Sequence, residues 1–294
     1  MNRKRTEIMV GWLLKISASL TVLVTISIIW ILLYEAIMFF RQVSIVEFLT
    51  STEWTPLFTN KKFGILPLLT ATFLTSIIAL VVAVPMGLIT AVYLSEYANP
   101  TFRSVIKPIL ELLASIPTVV YGFFALTVVT PFLQSFIPGM AGFNALSPGI
   151  VMGIMIMPLI SSLSEDAINS VPRSLRHASY ALGATRFQTS IRVLLPAASS
   201  GIIASIILAI SRAIGETMIV AMAAGQQPRF TFNPLVPIET LSTYIVQVSM
   251  GDVPRNSLEY STIFACGITL FVFTFLTNNL GIWIKNRYYR KYEI

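Results

Sequence analysis

Six stretches of this chain are each apolar and long enough to cross a lipid bilayer, and nothing else in the sequence limits its fold so strongly. They cover residues 11–40, 66–94, 109–136, 146–163, 199–224 and 261–284. A hydrocarbon core some 30 Å thick takes about 20 helical residues, whereas a barrel strand needs only about 10. Lipid offers the backbone no hydrogen bonds, so runs of this length must be helices. The expected fold class is therefore an all-α membrane protein, a bundle of six helices.

Composition agrees. Hydrophobic residues make up 55% of the chain and charged residues 11%, against roughly a quarter charged in soluble domains. The net charge of +7 does not indicate nucleic acid, because the basic residues cluster at the ends of apolar runs rather than interleaving with aromatics. One cysteine, Cys266, and one histidine, His177, leave no internal disulfide framework and too few soft ligands for a metal site. The basic cap Met1 to Arg5 precedes an apolar run over 8–40. That run exceeds the roughly 7 to 15 residues of a cleavable signal, which predicts a retained anchor helix.

Orientation follows from the basic residues. Arg3, Lys4, Arg5 and Lys15, then Arg103 and Lys107, then Arg173, Arg176, Arg186 and Arg192, then Lys285, Arg287, Arg290 and Lys291 fall on one side. The other side has Arg41, Lys61, Lys62, Arg229 and Arg255. The positive-inside rule puts both termini in the cytoplasm. Two long connections, 41–65 and 225–260, then face outward. Either could contact a partner or serve as a passive connector.

Residues 169–196, NSVPRSLRHASYALGATRFQTSIRVLLP, are too polar to span and too patterned for a simple loop. Pro172 suits a first helical turn, and Leu175, Ala178 and Leu182 recur at helical spacing. Gly183 should end this short amphipathic helix. A basic amphipathic helix can rest on anionic lipid, so lipid contact is one reading of it. Glu165 and Asp166, just before it, are placed to pair with Arg173 or Arg176.

The second unusual segment is Ser211-Arg212-Ala213-Ile214-Gly215-Glu216-Thr217. Counted from Ser199, Arg212 lies about 20 Å along its helix, near the bilayer centre. A charge there costs from about 2.5 to well over 10 kcal/mol, so it should face protein or water and have a partner. Continuous helix would put Glu216 on the same face. Such a pair could tie helices together. Alternatively, the forked guanidinium suits an oxyanion, and a carboxylate can accept the proton that hydrogen phosphate carries and sulfate lacks. Pro85, Gly87, Pro117 and Gly122 read as kink and close-packing residues, and Met152, Met155 and Met157 as apolar packing.

The loop spacing resembles that of ABC importer permeases, whose signature reads Glu-Ala-Ala, three residues, Gly, nine residues, Ile-x-Leu-Pro. Here His177-Ala178-Ser179, Gly183 and Val193-Leu194-Leu195-Pro196 keep every interval. His177 stands where the family usually has Glu, and Ser179 where it has Ala. SRAIGETMIV at 211–220, LASIPTVVYGFF at 113–124, AVYLSEYA at 91–98, FGILPLL at 63–69 and SLSEDAINSVPRSLR at 162–176 are similar to the phosphate-specific, PstC-type branch.

The resemblance implies a six-helix type I ABC importer transmembrane fold with a cytoplasmic coupling helix, in a multi-pass protein of the plasma (inner) membrane. It divides the chain into an anchor helix and outer loop (1–65), the type I permease domain (66–285) and a basic cytoplasmic tail (286–294). It implies coupling to the ATPase through Pro172, Arg173, Arg176, His177, Ala178, Ser179, Gly183, Ala184, Val193, Leu195 and Pro196, and a substrate path through Ser211, Arg212, Glu216 and Thr217. The implied partners are a second, related permease, two ATPase subunits and an extracytoplasmic phosphate-binding protein. No GxxxxGK[ST] phosphate loop occurs in the chain. This subunit is expected to be no enzyme and to bind no cofactor, with ATP and Mg used by the partner. A permease for molybdate, sulfate or a phosphonate stays open as an alternative, and an ATP-independent carrier or channel stays as a further one.

Overall fold

In the computed structural model, residues 3–255 and 257–292 are described, with side chains from 7 to 287 apart from 256. The charges at Arg3, Lys4, Arg5, Arg290 and Lys291 lie outside the described side chains. Four helical stretches are long and apolar enough to cross a membrane: Glu7–Phe40, Leu66–Tyr97, Leu146–Asn169 and Leu258–Arg287. They belong to α1 (Arg3–Phe40), α3 (Leu66–Val92, extended by a wide turn to Tyr97), α6 (Leu146–Asn169) and α12 (Leu258–Tyr292). Two further crossings are bent pairs, which brings the total to six if each pair is one span. A short helix, α2 (Ile45–Thr50), follows α1.

The first bend corrects the straight span expected over 109–136. α4 (Pro100–Ser115) turns by 87° into α5 (Thr118–Gln134). Asn99 starts α4 by accepting a hydrogen bond from the Phe102 amide at 2.7 Å, with Pro100 in the first turn. Pro117 ends it by holding Ile116 extended, at φ −61° and ψ 131°. The second pair is α8 (Arg186–Ala197) and α9 (Ser199–Ile214), bent by 71°. The run expected to continue from 199 to 224 breaks at Gly215, and α10 (Met218–Ala223) starts anew.

At the centre, α3 packs on α6 with α5, α9 and α10 around them, sharing Ala79, Ala83, Met152, Met155, Ile156 and Ala209. Helices in lipid gain little from apolar burial, so close packing must hold them. Small residues allow it: a Cβ on Gly153 would lie 2.8 Å from the Ala79 carbonyl oxygen, and one on Gly87 2.9 Å from Ile160. The Ser164 and Ser205 hydroxyls add a buried 2.9 Å hydrogen bond from α6 to α9. Helix α1 stands outside this bundle, exposed along most of its length, and leans on α12.

The described parts of the two long connections share a core. Phe48, Trp54 and Phe63 from the first, with Phe39 at the end of α1, meet Leu241, Tyr244 and Val248 of α11 (Leu241–Met250) in the second. Edge-to-face rings bind the cluster, Trp54 and Tyr244 at 5.0 Å between centroids. Together they form a structured cap at the end of the bundle opposite the termini.

Candidate functional site

Arg212 sits in the last turn of α9, with its side chain exposed toward a cavity of about 170 Å³. Lys107 and Glu111 of α4 and Met155, Pro158, Ser162 and Glu165 of α6 also line it. One guanidinium nitrogen lies 3.9 Å from the Met155 sulfur, and among the described residues no carboxylate is within 4.0 Å of Arg212. The intrahelical pair with Glu216 is thus not formed. The helix ends between them, and Glu216 turns to the next element: its Oε1 accepts the amides of Met218 and Ile219 at 3.1 and 3.3 Å, which caps α10. Its carbonyl accepts the Ser242 hydroxyl at 2.8 Å, tying the break to α11.

The other two expected path residues divide. Thr217 is half-buried beside the break, its hydroxyl 3.3 Å from the Gly215 carbonyl. Ser211 turns away to Asn278 of α12. α5 and α10 pack closely, since a Cβ on Gly122 would meet the Met222 Cβ at 2.9 Å and the Met218 carbonyl oxygen at 3.0 Å.

Glu165 and Asp166 pair differently from expectation. Glu165, fully buried, holds Arg103, with Lys107 at 3.6 Å, and Asp166 holds Lys107 at 3.1 Å. Neither reaches Arg173 or Arg176. The 87° bend explains this: it swings α4 back beneath α6, so its basic face meets the acidic end of that helix. The sequence carried a signal for this in Asn99-Pro100 and Ile116-Pro117, which mark where α4 begins and stops. Lys107 beside Arg212 is the functional candidate missed without it.

At the end bearing the termini, α7 (Arg173–Ala181) forms the expected amphipathic helix. Pro172 precedes it as its cap residue, and Gly183 at φ +79° ends it with open space around its missing Cβ, so backbone conformation selects glycine there. The hairpin closes when the Ala184 amide bonds the Ser179 carbonyl at 3.2 Å and the Ser179 and Thr189 hydroxyls meet at 2.9 Å. Thr185 and Gln188 then cap α8 reciprocally.

The predicted residues separate into two sets. Pro172, Arg173, His177, Ala178 and Gly183 are exposed, with Leu175, Leu182 at 89% exposure and Phe187 beside them. Ala184, Val193, Leu195 and Pro196 are half-buried, and Leu195 packs on Ala91, Ile168 and Ala198. Arg176 joins the hairpin to the bundle: one nitrogen lies 3.0 Å from Glu96 and donates to the Ile168 carbonyl at 3.0 Å. The result is a stiff lever with an apolar tip.

Residues 83–288 match the family described as binding-protein-dependent transport system inner membrane components. A probable ABC transporter permease protein, YqgH of Bacillus subtilis, is 39% identical over 83% of this chain and 79% of its own length. The phosphate transport system permease protein PstC of Mesorhizobium japonicum is 35% identical over 78% of this chain and 75% of its own. Among solved structures, a bacterial ABC transporter that imports alginate aligns with TM-score 0.66 over 97% of this chain and 99% of that one, at 20% identity. That likeness shows the fold, the six-helix type I ABC importer membrane domain. The chain belongs to the binding-protein-dependent transport system inner membrane components, as a multi-pass permease subunit of an ABC importer and a transport component rather than an enzyme.

Proposed function

We propose that this subunit carries inorganic phosphate, forming half of the path in an importer completed by a second, related permease. Two ATPase subunits, which use ATP and Mg, and an extracytoplasmic phosphate-binding protein are the remaining partners. The observation that carries this reading is Arg212: a guanidinium in the last turn of α9, exposed toward a cavity and without a carboxylate partner among the described residues. A cation in that setting is stabilised by an anion that arrives. Several relatives carry phosphate transport in their names, which supports phosphate as that anion.

Both termini and the α7 hairpin then face the cytoplasm, where the exposed face at Leu175, Leu182 and Phe187 docks on an ATPase. When the ATPases close, Arg176 and the α8 anchor pass the movement to α3, α6 and α9. The bundle opens outward to phosphate delivered by the binding protein, and when the ATPases separate again it turns Arg212 to the cytoplasmic side. In this reading Glu216, at the helix break, accepts a hydrogen bond from the hydroxyl that hydrogen phosphate carries.

The test is ATP-dependent uptake of radiolabelled phosphate by proteoliposomes containing this chain and its co-purifying subunits, competed with sulfate, molybdate and a phosphonate. Phosphate alone should compete fully. Full competition by another oxyanion would reassign the substrate while keeping the importer, and the relative whose name gives no substrate keeps that second reading in view. Flux without ATP would overturn the coupling.

A further inference from the structure

The cap opposite the termini holds a cavity of about 510 Å³ whose lining shares no residue with the Arg212 cavity. Trp54 to Phe58 of the first connection, Gln226 to Pro228, Glu239, and Tyr244 and Gln247 of α11 line it. Three buried polar atoms on this lining have no hydrogen-bond partner: Glu239 Oε1, Gln247 Oε1 and the indole nitrogen of Trp54. Glu239 and Trp54 are each only 1% exposed. A buried polar group without a partner is destabilising, so three on one wall mark a site that something else completes. The lining contains an acid and no Lys or Arg.

The orphans define their complement. Two acceptors, one from a carboxyl group, with the Trp54 and Tyr244 rings beside them, call for a cation with N–H donors. The indole N–H calls for an acceptor close by. A metal ion supplies only the first. A lysine or arginine on a peptide loop supplies both, its head group to Glu239 and Gln247 and a backbone carbonyl to Trp54. The exposed Leu57 and Phe58 at the rim offer apolar contact to the same loop.

We propose that this cavity receives a basic side chain carried on a loop of the soluble substrate-binding protein, and so forms a docking socket on the extracytoplasmic face. The assignment rests on the partner and orientation given under the proposed function.

Docking should then release a proton. Burial pushes the Glu239 carboxyl up to about 8, so it is protonated at neutral pH in the empty socket and must ionise to hold a cation. The neighbouring titratable groups are the Tyr244 phenol and the Cys266 thiol of α12. Lys61 of the first connection is held by Glu259. Below about pH 8, affinity should therefore fall as pH falls, by up to about tenfold per unit.

The experiment measures binding of the soluble binding protein to the complete importer in nanodiscs, at pH 6.5 and pH 8.5. Wild type should bind at least about tenfold more tightly at the higher pH. Glu239→Gln should lose that dependence and bind about tenfold more weakly than wild type at pH 8.5. Trp54→Phe, which keeps the ring and removes only the N–H, should weaken docking several-fold. Glu239→Gln binding like wild type at both pH values, in a complex that assembles normally, overturns the socket. Loss in Glu239→Gln with Trp54→Phe unchanged would indicate a free cation instead of a peptide and also overturn it. If wild type does not bind the soluble protein at all, the partner reading fails and the socket with it.

Discussion

At the scale of single residues, Arg212 and Glu216 do separate work although four positions apart. A continuous helix would have paired them. The Gly215 break frees the guanidinium for the cavity and assigns the carboxylate to the first amides of α10. Glu216→Ala removes the cap and should cost about 1 kcal/mol in a thermal melt of the purified complex. Glu216→Gln keeps an acceptor for both amides, so the melt should stay near wild type, while the amide nitrogen that replaces the second oxygen donates instead of accepting, and phosphate uptake should fall at least about tenfold. Wild-type uptake in Glu216→Gln would reduce this residue to a cap. The pattern of Arg and Glu was legible in the sequence; the break was not, because a lone Gly within an apolar run is common in membrane helices.

At the scale of elements, the α7 hairpin was readable almost completely: Pro172 before it, Gly183 after it and apolar residues at helical spacing between. Local chemistry decides such a turn. Replacing Gly183 with Val forces a branched side chain to φ +79° and should cost about 1–3 kcal/mol of hairpin stability, seen as faster hydrogen exchange at 182–189. Leu182→Glu, at a side chain 89% exposed, should leave the permease melt unchanged and abolish co-purification of the ATPase. Retained ATPase binding would move the docking surface elsewhere. The course of α4 was harder to read, since its apolar C-terminal half merges with α5 in any hydropathy window. The physical cause of its turn is one residue, Pro117, and its destination is set by Glu165 waiting for Arg103 and Lys107.

At the scale of the whole molecule, a tight α3–α6 centre carries a lever at one end and an ordered cap at the other. Gly153→Ala places a methyl group 2.8 Å from the Ala79 carbonyl oxygen, and the resulting strain should lower stability by about 1–3 kcal/mol, measured by thermal unfolding of the assembled complex. Sequence length and polarity mark both connections as loops, while their joint core depends on pairings such as Trp54 with Tyr244, which no local pattern encodes. Central to the proposed function is that one cation on a half-pore holds the travelling anion while partner subunits hydrolyse ATP. Its most direct test compares Arg212→Gln with wild type in proteoliposomes, with phosphate uptake and ATP hydrolysis measured on the same samples. Uptake should fall by at least about a hundredfold while the complex assembles and basal ATP hydrolysis persists; phosphate uptake at the wild-type rate would contradict the proposed role of Arg212.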